Sequence, residues 1–323
     1  MFQARRFTAV LVPAFCLSLL SPALQAADKV NIRIPTAATT GALYPLGAGI
    51  ANVWNTRLNY VNASVQASNG GLQNLALLKD KEAEASFAVS SIAYEAANGQ
   101  NTFQGRAYPD LRVLAGLYYN PNQVVARRDS QVETLADFRG KRFSPGSVGG
   151  TTDGESRIHL TAAGLNYPGD LQIQRMGFTE SIDLMRNRQL DGAWIMAGIP
   201  TAAVTEMCAT ANGRLIGMDS ALIEKIQKDY PWYAAYTIPA GTYDGQDKDV
   251  ATTAVKMLLL TDKSLPDDLV YDLTKTFWEN LGEVSKAHAV MNKVTPDMAV
   301  KDLSGLSLHP GAARYYREVG LLK

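Results

Sequence analysis

Val30, Ile32 and Ile34 alternate with polar residues up to Pro35, the period-two pattern of a strand with one buried face. Beyond Thr36-Ala37-Ala38-Thr39-Thr40-Gly41 the period lengthens, and Leu46, Ile50, Val53, Trp54 and Leu58 recur at helical spacing. Alternation returns at Val61, Ala63, Val65 and Ala67; Asn69-Gly70-Gly71 punctuates it, and Leu72, Leu75 and Leu78 begin another helix. Ser86 to Ser90 and Leu111 to Leu117 read as short buried strands. This order of strand and helix predicts a parallel sheet covered by helices.

The second stretch repeats the scheme. Asn122 to Ala126 reads as a strand, Gln131 to Gly140 as a polar connection or short helix, and Lys141 to Ser144 leads into a glycine-rich loop and a helix reaching about Ala163. Ile173 to Met176, Ala193 to Met196 and Leu215 to Gly217 are further strands, separated by helices over Thr179 to Arg188, Thr201 to Ala211 and Ser220 to Asp229. Val270, Leu273, Phe277, Leu281 and Val284 then share one helical face, with Pro266 in the first turn.

Residues 1–26 follow a different pattern. Arg5 and Arg6 precede an apolar run from Phe7 to Leu20, and small residues follow up to Ala27. This is the layout of a secretory signal peptide, cleaved after Ala26 and directing the remainder to the periplasm. Cleavage changes the charge and the thiol count. The whole chain of 323 residues carries 31 Lys plus Arg against 31 Asp plus Glu; without Arg5 and Arg6 the balance is −2, and Cys208 is the single remaining cysteine. No internal disulfide can form, so a hydrophobic core must hold the protein together. With 46% hydrophobic and 19% charged residues the chain can build one, which argues against disorder. The balanced charge, with no Lys/Arg block, excludes an electrostatic footprint for nucleic acid.

The catalytic inventory is thin. His159, His288 and His309 have no metal-ligand spacing, and there is no G-x-S-x-G elbow, C-x-x-C pair or P-loop. The sequence therefore predicts neither enzyme, metal nor cofactor. Two strand-loop-helix junctions carry a signal instead. At a helix N-terminus unpaired N–H groups and the positive end of the dipole face outward, so a loop of small residues lets an anion approach. Thr39-Thr40-Gly41-Ala42 and Gly149-Gly150-Thr151-Thr152 both fit and add hydroxyl donors, although either is equally at home as an ordinary cap or turn.

Thr39 to Gly47, Asn69 to Leu75, Gly140-Lys141-Arg142 with Gly149 to Thr152, Ile238 to Tyr243 and the ending Leu308 to Gly320 resemble, in order, the motifs of TAXI-family solute receptors of TRAP transporters. The resemblance implies an α/β fold of the type II periplasmic binding protein kind, with two lobes joined by two crossing strands around a ligand cleft. The crossings are expected near residues 118–127 and 236–252, the first lobe over residues 27–120 and 245–323, and the second over 121–244. It implies capture of a small organic anion, a glutamate- or 2-oxoglutarate-like dicarboxylate, by a monomer that delivers it to a fused TRAP membrane permease. A stand-alone sensor reporting to a membrane kinase is the alternative; a hydrolase on the same scaffold has no nominated acid or base.

The ligand residues carried over by the resemblance are Thr39, Thr40 and Gly41 with Tyr44 one turn on, Asn69 and Gly70, Ser90 and Ser91, then Gly149, Gly150, Thr151 and Thr152, with Gly198 and Pro200 completing the second wall. Tyr44 fits a core aromatic as well. The family's Gln-Ser-Asp is Ser90-Ser91-Ile92 in this chain, which removes a long amide and a charge.

Overall fold

Three strand-then-helix units open the fold: β1 (Val30–Pro35) with α1 (Leu43–Arg57), β2 (Val61–Gln66) with α2 (Gly71–Lys79), and β3 (Ala85–Val89) with α3 (Ser90–Asn98). The computed structural model describes residues 29–37, 39, 42–148 and 150–323, so the expected leader lies outside them. β1 and β2 pair in parallel with Val30 opposite Val61. The period-two and period-3.6 patterns thus form the elements they predict. Ser90 starts α3 rather than ending β3, because the chain turns helical directly after Val89.

β4 (Leu111–Arg127) follows and is one strand of 17 residues, where the sequence suggests two. Almost every residue of it is buried, so no alternation marks its course. Its first part pairs antiparallel with β10 (Val250–Asp262), and from Asn122 it pairs with β7 (Gly192–Met196) and β8 (Gly213–Ile216). Pro121 stands where β4 passes from one set of partners to the other, a place where the missing N–H costs the ladder least.

Between these two long strands lie β5 (Arg142–Ser144), α4 (Thr151–Ala162), β6 (Gln172–Ile173), α5 (Phe178–Arg186), β7, α6 (Ala202–Thr210), β8, α7 (Ser220–Asp229) and β9 (Ala234–Ile238). After β10 come α8 (Asp267–Glu279), α9 (Leu281–Ser285) and α10 (Pro310–Glu318). The strand order is β3-β10-β4-β7-β5-β6, with β8 on β4 and β9 on β10, and β1 with β2 forms a separate two-stranded sheet. The first group holds β1 to β3 with α1 to α3 and α8 to α10; the second holds β5 to β8 with α4 to α7. β4 and β10 run through both and pair at Ala254 and Pro121. Of the expected crossings, 118–127 lies within β4, whereas 236–252 contains the end of β9, a loop and the start of β10.

The single helical face expected from Val270 to Val284 is interrupted. Asn280 ends α8 and α9 begins at once, so Leu281 and Val284 belong to a second short helix. Trp54 on α1 donates its indole N–H to the Leu273 carbonyl at 2.9 Å, fixing α1 on α8. α10 lies so close to α8 that a Cβ at Gly311 would stand 2.1 Å from the Asp267 carbonyl oxygen.

Candidate functional site

α4 begins at Gly150 and Thr151 after a loop that turns at Gly146, where φ is +106°. Its N-terminus and inner face meet α2 and α3 across a cavity of about 310 Å³. Leu72, Ser91, Ile92 and Glu95 come from the first group; Gly150, Thr151, Glu155, Arg157 and Ile158 come from α4, with Tyr167 and Arg175 behind. A 12-residue helix aimed at a cleft with small residues at its start can accept an anion there.

The charges around the cavity fall into three arrangements. Asp153 is engaged by the Tyr167 hydroxyl at 2.6 Å and by Arg175 Nε at 3.2 Å. Burial, together with that hydrogen bond, pushes the Tyr167 phenol up to about 12. Glu95 is buried, which raises its pKa although Asn101 donates to it at 2.7 Å. Arg157 is exposed at the rim, its charge close enough to favour ionised Glu95.

Behind this wall sits an almost wholly buried polar network. Glu155 accepts from the Ser91 hydroxyl at 3.0 Å and from Asn122 Nδ2 at 3.3 Å, and burial pushes its carboxyl up to about 7. Asn122 also donates to Thr253 Oγ1 at 3.0 Å and accepts from the Trp194 indole at 2.8 Å. One turn further along α4, His159 bonds to Thr253 Oγ1 through Nε2, and burial depresses its pKa to about 4, so the ring is neutral. Its ring packs 5.1 Å from Trp194 and 4.8 Å from Tyr233. The Tyr233 phenol is buried beside Glu155, and the Trp232 indole N–H is buried with no partner among the described residues. Trp232 packs against Tyr94 of α3, ring centres 4.9 Å apart and tilted by 46°.

Ser91, Gly150 and Thr151 are thus brought together on one cavity, and Thr152 adjoins them, packed against Gly146. Gly70 is the N-cap of α2, with a φ of +91° that favours glycine, and Asn69 precedes it. Thr39 is exposed and Tyr44 lies half-buried in the first turn of α1, both away from this cavity. Ser90 is directed elsewhere: its hydroxyl accepts from the Lys256 N–H at 3.1 Å and reaches the Trp232 carbonyl at 3.3 Å. Gly198 borders a separate cavity of about 60 Å³ with Tyr118, Tyr119 and Tyr236, and Pro200 is exposed. Thr40, Gly41 and Gly149 lie outside the described residues.

Sequence reading missed Glu155, His159, Asn122 and Thr253. The signal available was the i, i+4 spacing of Glu155 and His159 with Leu160 beside them, which puts two ionisable groups on the helix face that also carries an apolar residue. Among the described residues no three His, Cys, Asp or Glu side chains converge as a metal would require, and no helix is long and apolar enough to cross a membrane. Burial pushes the Cys208 thiol up to about 11, so little thiolate exists at neutral pH.

Solved structures share this fold of two α/β groups on common long strands, a solute-binding protein among them. XAC2383 from Xanthomonas citri, bound to ATP, matches with a TM-score of 0.53 at 10% identity, over 90% of this chain and 99% of that one. A TctC solute-binding protein from Polaromonas, with no ligand, gives 0.52 at 15% identity, over 92% and 100%. The periplasmic aliphatic sulphonate-binding protein SsuA from Escherichia coli gives 0.49 at 15% identity, over 89% and 82%. The chain itself belongs to the NMT1-like family, whose model matches residues 34–320.

Proposed function

We propose that the protein is the periplasmic receptor of a TRAP transporter of the TAXI branch, which captures a small organic anion in the cleft and presents it to a fused membrane permease. The observation that carries this reading is the cavity shared by α3 and the N-terminus of α4, where Arg157 supplies positive charge beside the Arg175–Asp153 pair and Thr151 supplies a hydroxyl. The lobes are residues 27–120 with 245–323, and 121–244, and the leader is residues 1–26. The bound anion is a dicarboxylate of glutamate or 2-oxoglutarate size, which the cavity volume accommodates. A ligand touching both lobes favours the closed state over the open one by its extra contacts in the closed state. The protein is a monomer that binds and releases its ligand unchanged. Its ligand contacts at this cavity are Gly150, Thr151 and Thr152 at the start of α4 with Ser91 opposite, and Asn69 and Gly70 stand at the adjoining start of α2.

Thermal unfolding of ligand-stripped protein against C4 to C6 dicarboxylates, keto acids and amino acids tests the reading. At least one anion should raise the melting temperature in a concentration-dependent way, by RT ln(1 + [L]/Kd) in free energy. No shift from any of them at pH 6 and pH 8 would remove this substrate class.

A further inference from the structure

We infer that Glu155 is a proton-operated latch across the cleft: protonated, it bridges α4 to Ser91 on α3, and on ionisation it releases α3. This rests on the reading of the chain as a two-lobed receptor whose α3 and α4 belong to different lobes.

The geometry of the carboxyl is the basis. Glu155 is 3% exposed, and the side chains against it, Ser91 and Asn122 with the Tyr233 phenol, are uncharged. A buried carboxylate with no cationic partner is costly, so the group either holds a proton or becomes solvated. Among the described residues no cation bonds to it: Arg175, on the same cavity, is held by Asp153. α3 presents Glu95, of the same sign, one turn beyond Ser91. β4 and β10 present Asn122 and Thr253, both neutral. The segment after α7 presents Tyr233, whose phenol is held protonated by burial and by Glu155 itself. On α4, His159 is neutral and Arg157 is turned out to solvent.

Separating α3 from α4 exposes Glu155 at the cavity that already lies against it. His159 behaves differently. Its contacts are Thr253, Trp194, Tyr233 and its own helix, so parting α3 from α4 leaves it covered. Of the two buried carboxyls at the cavity, Glu95 bonds to Asn101 on its own side, whereas Glu155 alone bridges α4 to α3, and its raised pKa of about 7 sets the window of the latch. Closing over an anion near neutral pH then takes up a proton, so capture strengthens as the medium becomes acidic.

Small-angle X-ray scattering on the ligand-free protein from pH 4.5 to 8 tests the latch. The radius of gyration should grow from pH 4.5 to 7 and then level off, the closing constant falling by up to about tenfold per pH unit. Glu155→Gln should abolish that dependence. A flat wild-type profile, or a Glu155→Gln profile that still rises, overturns the proposal. Should Glu155→Gln not fold, Ser91→Ala takes its place and should be as open at pH 5 as the wild type is at pH 8; a Ser91→Ala protein as closed as wild type at pH 5 overturns it equally. Opening that follows pH while no tested anion shifts the melting temperature upholds the latch and removes the anion reading alone.

Discussion

His159 Nε2 lies 2.6 Å from the hydroxyl of Thr253, which ties the middle of α4 to the start of β10 inside the protein. The same hydroxyl receives the Asn122 amide at 3.0 Å, so one threonine satisfies two buried polar side chains. Thr253→Val, nearly isosteric, leaves both without that partner. Stability should fall by about 1–3 kcal/mol, read as a lower urea midpoint with an unchanged slope. An unchanged midpoint would show that neither bond contributes.

Glu155 and His159 stand one turn apart and titrate in opposite senses. The Glu155 pKa is raised to about 7, so the stability it contributes is full below its unfolded value near 4.5 and is lost as pH climbs to about 7. The His159 pKa is lowered to about 4, so its burial costs stability as pH falls from about 6.5 to 4. The two slopes oppose each other between about pH 4.5 and 6.5. Relative to wild type, Glu155→Gln should gain stability as pH rises through that range and His159→Phe should lose it, each by up to about 3 kcal/mol. Urea unfolding at half-unit pH steps reads both, and parallel profiles for the two variants would contradict the assignment.

Arg157 borders the cavity from an exposed position, so its removal should leave the fold intact. Arg157→Ala is expected to change stability by less than about 0.5 kcal/mol. If its guanidinium meets the anion, affinity should drop about tenfold to a hundredfold, the worth of one charge-assisted hydrogen bond. Isothermal titration with whichever anion raises the melting temperature measures this; equal affinity for the two proteins would place the anion elsewhere in the cleft.

Asp262 closes β10 with a buried carboxylate. Burial works against its ionisation, yet Lys81, the Ser264 hydroxyl and the Tyr108 hydroxyl hold its pKa at about 2. A depressed pKa contributes stability above the unfolded value near 3.9 that disappears as pH falls through about 2. Asp262→Asn should therefore cost about 2 kcal/mol at pH 7, and the gap from wild type should close in acid. A gap that stays constant down to pH 2 would mean that packing, not charge, is lost.

Gly311→Ala tests the contact of α10 with α8. The added methyl cannot occupy a point 2.1 Å from a backbone oxygen, so the helices must part. Overpacking of this kind costs about 1–3 kcal/mol or more. A melting temperature within a degree of wild type would show that α10 shifts freely.

Much of this fold could be read from residue patterns wherever one face of an element meets solvent. β1, α1, β2 and α2 stand over the segments that alternation and helical spacing mark. β4 was legible only in pieces, because burial on both sides removes alternation and the Asn120-Pro121-Asn122 interruption looks like a turn. β10 escaped for the same reason, with Lys256 inside its buried run; there the ammonium is satisfied by the Met298 and Lys301 carbonyls and by the Tyr119 ring. In the candidate site the helix-start glycines and threonines were visible as local motifs. Glu155 and His159 were not, since an acid and a histidine on a polar helix look solvated until β4, β10 and α3 close over them.

The ladder of β3 sets an order on synthesis. Its antiparallel partner is β10, with Val89 opposite Met257, so about 170 residues separate the two sides of one ladder. A chain emerging from its N-terminus therefore presents β3 with that edge unpaired while the whole of residues 121–244 is made. The intervening group has its own ladders, β5 with β6 and β7, and β7 and β8 with the end of β4. The later-made half can thus assemble first and the N-terminal half is finished last, leaving an apolar strand edge exposed in the meantime, at a stage when aggregation or a holding chaperone competes with folding.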